Sequence, residues 1–345
     1  MNPESNDGRA LPARRKPVPG SRSSSGTAFP DLEAFAGQFF DQFSRAGHRR
    51  QFLQYLVGLV ASPVKTIEGI ATFLSGSAGP RGGLAQSLQH FISSSPWDER
   101  RLLSAWLARL FRDGHLGGTP AVVTVTEIDI PKKGSHSVGV QRQLAKSLNK
   151  KLNCQVAILL GLATPSFHLP VAMRLYLPGR WLSDSAQAVE RTVPQEHRRF
   201  LTKEEIAFEL VREWLPETVP VAGVAVQPTL AGAGGILETF LIANGLSLAV
   251  PEAGRLAGSA DGFSVVSAVA ALALGCESVE ALKDEYGLCQ FEGRSWRGWH
   301  HHAALVCVSH GFGKLAASGS KAGKPKAGRR FSGPGHDFQP EFPGQ

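Results

Sequence analysis

Leu32, Phe35, Phe39 and Phe43 recur three or four residues apart, and Phe52, Tyr55, Leu56 and Leu59 repeat the spacing. Apolar positions at that period line one face of a helix. A third helix is punctuated by Ser95 as N-cap, Pro96 at the first position, and Asp98 and Glu99 in the first turn. Leu102, Leu103, Trp106, Leu107 and Leu110 then share a face. From residue 120 the period shortens. β-branched and apolar runs at 121–130, 155–163 and 171–178 predict strands. A helix is predicted over Thr202–Leu215, opened by a Thr202/Glu205 capping box. A strand at 221–227, a helix at 235–244 and a short strand at 246–250 follow. The stretch 252–290 has no clear period, and a last helix is expected from about Glu292 to His310. This order predicts an α/β sheet domain over 120–312 behind an all-helical N-terminal domain over 30–114.

The chain has 345 residues, 42% of them hydrophobic, enough to bury a sizeable core. Net charge is +8. Arg14, Arg15 and Lys16 lie near one end, and Lys321, Lys324, Lys326, Arg329 and Arg330 near the other. By composition, 1–28 and 317–345 read as disordered basic tails. Such a balance favours a polyanion partner, nucleic acid first, although charge also serves solubility. The four cysteines form no CxxC pair, which excludes zinc-site spacing and fits a reducing compartment. The longest apolar run, Val265–Cys276, falls short of the roughly 20 residues a membrane helix needs. A soluble, cytoplasmic protein with no membrane partner is expected.

The strand at 121–130 ends in an unusual way. Thr126, Glu127 and Asp129 precede a basic turn, Pro131, Lys132, Lys133 and Gly134. Around it stand LQHFISSSPWD (88–98), IPKKGSHSVGVQRQ (130–143), NCQVAILL (153–160), RLYLPGRW (174–181), FLTKEEIA (200–207) and FEGRSWRGWHHHAAL (291–305). Together, in this order, these runs resemble the bacterial insertion-sequence DDE transposases that carry a PKKG turn after the first catalytic strand. The resemblance runs from about residue 50 to 312. It implies an RNase H-like catalytic-type domain in which two Asp and one Glu hold divalent metal. Two Mg²⁺ ions clamp the attacking and leaving oxygens of a phosphoryl displacement, and a hard cation wants anionic oxygen ligands.

Carried over residue by residue, the resemblance puts the first family Asp at Thr126, five residues before Pro131. The second falls at Gln227, at the end of the strand VAGVAVQ, and the helix-borne Glu falls at Glu292. Two of three carboxylates are thus replaced by a hydroxyl and an amide. Glu292 is the one metal ligand retained, and Mg²⁺, expected for the family, is expected to bind weakly or not at all here. Glu127 and Asp129 are possible substitute acids, but on an extended strand they point together, away from Thr126.

The resemblance therefore implies a transposase-type protein that binds double-stranded DNA without cleaving it, with a homodimer on DNA as one allowed assembly. One alternative is an active Mg²⁺-dependent endonuclease using Glu292 with Glu127, Asp129 or Asp261. Another is a structural or interaction protein that kept the fold and lost DNA. Lys132, Lys133, Arg142, Arg294 and Arg297 are the candidate phosphate contacts, which position DNA without reading sequence. Trp296 and Trp299 are expected in the core. His300, His301 and His302 fan over ~200° of a helix and cannot all face one ion. The glycine cluster Ala231–Gly235 lacks the full spacing of a phosphate loop.

Overall fold

The strand that carries Thr126 is the centre of a seven-stranded mixed sheet. The computed structural model describes residues 29–76, 83–116, 120–165, 167–183, 192–215, 220–258 and 262–319. Both basic tails up to residue 28 and beyond 319, and Asp261, lie outside these residues. β1 (Ala121–Pro131) pairs antiparallel with β3 (Lys150–Ala163) and parallel with β5 (Val221–Val226). β6 (Leu248–Val250) continues parallel, and β7 (Arg255–Ala257) closes that edge antiparallel. The far edge of β3 is shared end to end. β2 (Gln141–Ala145) pairs with 150–154, and β4 (His168–Leu175) with 157–163. Reading β4-β3-β1-β5-β6, two antiparallel pairings are followed by two parallel ones, an order compatible with an RNase H-like domain.

Five helices precede the sheet: α1 (Pro30–Gly37), α2 (Ala46–Ala61), α3 (Ile67–Ser75), α4 (Leu84–Ser93) and α5 (Glu99–Arg112). The cap of α5 is Asp98 and not Ser95. Asp98 accepts from the N–H groups of Arg100 and Arg101, while the Ser95 hydroxyl is occupied by His90 at the end of α4. After the short α6 (Arg180–Ser183), α7 (Lys203–Trp214) opens with the expected Thr202/Glu205 capping box. α8 (Ile236–Ala243) follows β5.

The stretch 252–290, unreadable by period, contains a 20-residue helix, α9 (Val265–Asp284). It lays Ala268, Ala271 and Leu272 on Val122, Ala225 and Ala249 of the sheet. The last helix, α10 (Trp296–Gly319), starts four residues later than expected and runs to 319, past the point where the tail was expected to begin. It packs against β4 and against α2, α4 and α5. One continuous core joins these helices to the strands, with Trp106 and Trp299 fully buried in it.

Candidate active site at the strand ends

β1 and β5 run parallel with Val125 beside Val226, so positions 126 and 227 follow at the same level of adjacent strands. The Gln227 N–H donates to Val125 O at 3.2 Å, and its side-chain Oε1 accepts from the Glu127 N–H at 2.8 Å. The amide oxygen thus extends the strand pairing by one bond. Thr126 is 1% exposed, and its Oγ1 has no partner among the described residues. By alternation Thr126 shares a face with Thr124, whose hydroxyl meets His168 Nε2 at 2.7 Å. Gly161 makes room for that ring, since a Cβ there would overlap it. Burial holds His168 neutral, its pKa pushed down to about 3.

Glu127 faces the other way. Lys203 Nζ lies 2.6 Å from its Oε1 and Lys146 Nζ 2.9 Å from its Oε2, and the Thr229 hydroxyl donates to Oε2 at 3.0 Å. Burial opposes ionisation of this carboxyl, but the bonds from Lys203 and Lys146 outweigh it and hold the pKa below the usual range. Both oxygens are therefore engaged by cations or a hydroxyl. Asp129 is also buried, in the neighbourhood of Cys154 and Cys289, whose thiols burial and this carboxylate push up.

Glu292 does not join these residues. It is exposed, in the loop that precedes α10 and not on a helix. It lines a polar cavity of about 410 Å³ with Tyr55, Lys65, Glu68, Gln86 and Gln89. Lys132 reaches this loop by donating to Phe291 O at 2.7 Å. Lys132 stands six residues beyond Thr126, roughly 20 Å of strand at ~3.3 Å per residue. The helix that covers Thr126's face of the sheet is α9. On its exposed side Cys276 lies within electrostatic range of Glu280 and of Glu252, just after β6. The signal for this helix was a Ser264/Ser267 capping box, in which a second serine takes the place of the usual Glu or Gln.

Of the candidate phosphate contacts, Lys133, Arg142, Arg294 and Arg297 are exposed. Lys132 is turned inward, its pKa lowered to about 8 by burial, with Glu292 among the groups opposing that shift. The glycine turn before α8 is filled by carboxylates. Glu204 reaches Gly235, and the Gly234 N–H donates to Glu238 at 3.2 Å.

Among the described residues no group of three His, Cys, Asp or Glu side chains is placed to hold a metal ion. At the strand ends the donor set is a hydroxyl, an amide bound to backbone, and a carboxylate already neutralised by two lysines. Mg²⁺ asks for one or two open carboxylates, so these residues do not fit a pair of such ions.

The family described as DDE superfamily endonuclease matches residues 38–226, more than half of the chain. A probable transposase for insertion sequence element IS701 from Microchaete diplosiphon is 29% identical over 128 residues, which is 37% of this chain and 30% of that relative. The chain thus matches less than a third of the relative's length.

Proposed function

The chain belongs to the DDE superfamily endonuclease family, and on that premise we propose that it is a DNA-binding protein of the insertion-sequence transposition lineage that does not cleave DNA. The family generally uses a divalent metal such as Mg²⁺. The observation that carries the proposal is the state of Glu127. This carboxylate beside Thr126 and Gln227 is clamped by Lys146, Lys203 and Thr229. Thr126 and Gln227 bring no charge to a cation, and Glu292 lines a different cavity.

DNA remains the partner that the charge supports. Lys133, Arg142, Arg294 and Arg297 supply phosphate contacts, and Lys132 holds the loop that bears Arg294 in place. Binding is electrostatic and metal-independent, on a soluble cytoplasmic protein that acts as a homodimer on duplex DNA. α9 is long and apolar enough to cross a membrane by length and composition, but its burial of Ala268, Ala271 and Gly275 supports a core helix.

Fluorescence anisotropy with labelled duplexes tests this. Affinity should fall steeply with salt, because each neutralised phosphate releases counterions. Binding should need no Mg²⁺, with affinity in EDTA equal to or above that in Mg²⁺, which competes for the phosphates. Binding that requires Mg²⁺, or no binding at low salt, would reject the proposal.

A further inference from the structure

We propose that the β2–β3 hairpin is a DNA-binding ribbon, in which Leu144 and Leu148 enter a groove of duplex DNA while Arg142 and Lys151 hold the flanking phosphates. This deepens the DNA-binding reading above and rests on it. Residues 141–153, QRQLAKSLNKKLN, carry four cations and no acid. Pairing of β3 with β1 ends at Pro131 opposite Cys154, followed only by the Lys132 N–H donating to Asn153 O at 2.8 Å, so Lys150–Leu152 pair with β2 alone. β3 runs against β1 and β5 runs with it, so this overhang leaves the sheet at the end where Gln227 lies.

The hairpin is two-faced. Arg142 and Leu144 are exposed, while Gln141 and Gln143 are half-buried and Ala145 is buried. Leu144 stands opposite Lys151, and directly paired residues share a face. The outer face is therefore Arg142, Leu144 and Lys151, with Leu148 in the turn that Asn149 closes at φ 47°. Cations on an edge strand serve on their own to block edge pairing. Leucines 47% and 55% exposed among those cations work against that role. A two-stranded ribbon fits the major groove, where a leucine meets thymine methyl groups and cations meet phosphates.

The ribbon is also held in position before any partner arrives. Ile158 pairs with Glu127, and Lys150 lies eight residues away, ~27 Å for a straight strand. Lys146 nevertheless touches Glu127, so the ribbon coils back over the α7 side of the sheet. Its outer face is left towards solvent beside the strand ends.

Salt-dependent anisotropy titrations of the full chain test the ribbon. Arg142→Ala with Lys151→Ala should lower the salt slope by about 2 and weaken binding roughly tenfold or more, whatever the sequence. Leu144→Ala with Leu148→Ala should keep the slope and raise Kd several-fold. Folded variants that bind like the unmodified chain would overturn the ribbon and leave the DNA-binding reading standing. An unmodified chain that does not bind DNA would overturn both. A leucine variant that changes the oligomeric state by light scattering, with DNA affinity intact, would make this face a protein contact and reject the proposal.

Discussion

The histidine run of α10 and the strand ends of β1 and β5 both lie within the span of the same family resemblance, and they treat polar groups in opposite ways. In the histidine run each ring is used. His300 Nδ1 donates to Trp296 O at 3.0 Å, and its Nε2 faces the edge N–H of Leu175. The neutral His301 ring has one N–H, which donates to Ile92 O at 2.8 Å or to Trp97 O at 3.0 Å, and the ring stacks on Trp97. His302 donates to Gly287 O at 3.1 Å and accepts from the Tyr55 hydroxyl at 3.0 Å. Three consecutive rings thus fix α10 to the edge of β4, to the α4–α5 connection and to α2. At the strand ends, by contrast, the Thr126 hydroxyl has no partner among the described residues and the Gln227 amide turns back to the backbone.

The difference separates what holds this fold from what a metal site asks of it. The rings of His300, His301 and His302 all bond within the chain and need no ion. Two buried carboxylates at 126 and 227 would repel each other and lose hydration unless a cation joined them. Thr and Gln at those positions carry no such repulsion, so the fold there asks for no cation.

The comparison breaks most visibly at the seam. Trp106→Ala removes a fully buried ring that packs on Phe35 and Phe39, and it should cost about 3–5 kcal/mol in chemical denaturation. Thr126→Asp should cost about 2–4 kcal/mol by burying an unpaired charge. Combined with Gln227→Asp, it should give a protein whose Tm rises when Mg²⁺ is added, whereas the Tm of the unmodified chain stays put.

pH acts on the buried histidine rings. Burial pushes His168, His302 and His310 down to about 3, against about 6.5 unfolded. Between those values the unfolded chain binds more protons, so stability is full above about pH 6.5 and is lost as pH falls. Each ring contributes about 1.4 kcal/mol per pH unit in that window. A Tm-versus-pH series should be flat above neutrality and steep below 6, and less steep by one proton for His302→Gln. Thr126→Val is the smallest test. It deletes an orphaned hydroxyl at constant shape and should change stability by no more than about 1 kcal/mol, towards stabilisation.

The apolar runs of β1, β3 and β5 and the Thr202/Glu205 box of α7 were legible because each carries a local pattern. α9 was not. Val266, Val269 and other apolar residues face solvent as well as the sheet, so no polar stripe marks its period. The placement of Gln227 beside Val125 follows from register, which an eye on the strand end can anticipate. The clamp on Glu127 does not, because Lys146 and Lys203 are 19 and 76 residues away. Glu292 was assigned to a helix because its run leads into one, but Phe291 is held by Lys132 and the helix begins only at Trp296.

The central claim is that the strand ends no longer support metal-dependent chemistry. The most direct test incubates the unmodified chain with supercoiled plasmid and with element-end duplexes in Mg²⁺ and in Mn²⁺, and follows nicking on gels. The account predicts no cleavage above an EDTA control at protein concentrations that bind the DNA fully. Metal-dependent nicking that disappears in Glu127→Gln or Glu292→Ala would contradict it, and would make that carboxylate a working ligand.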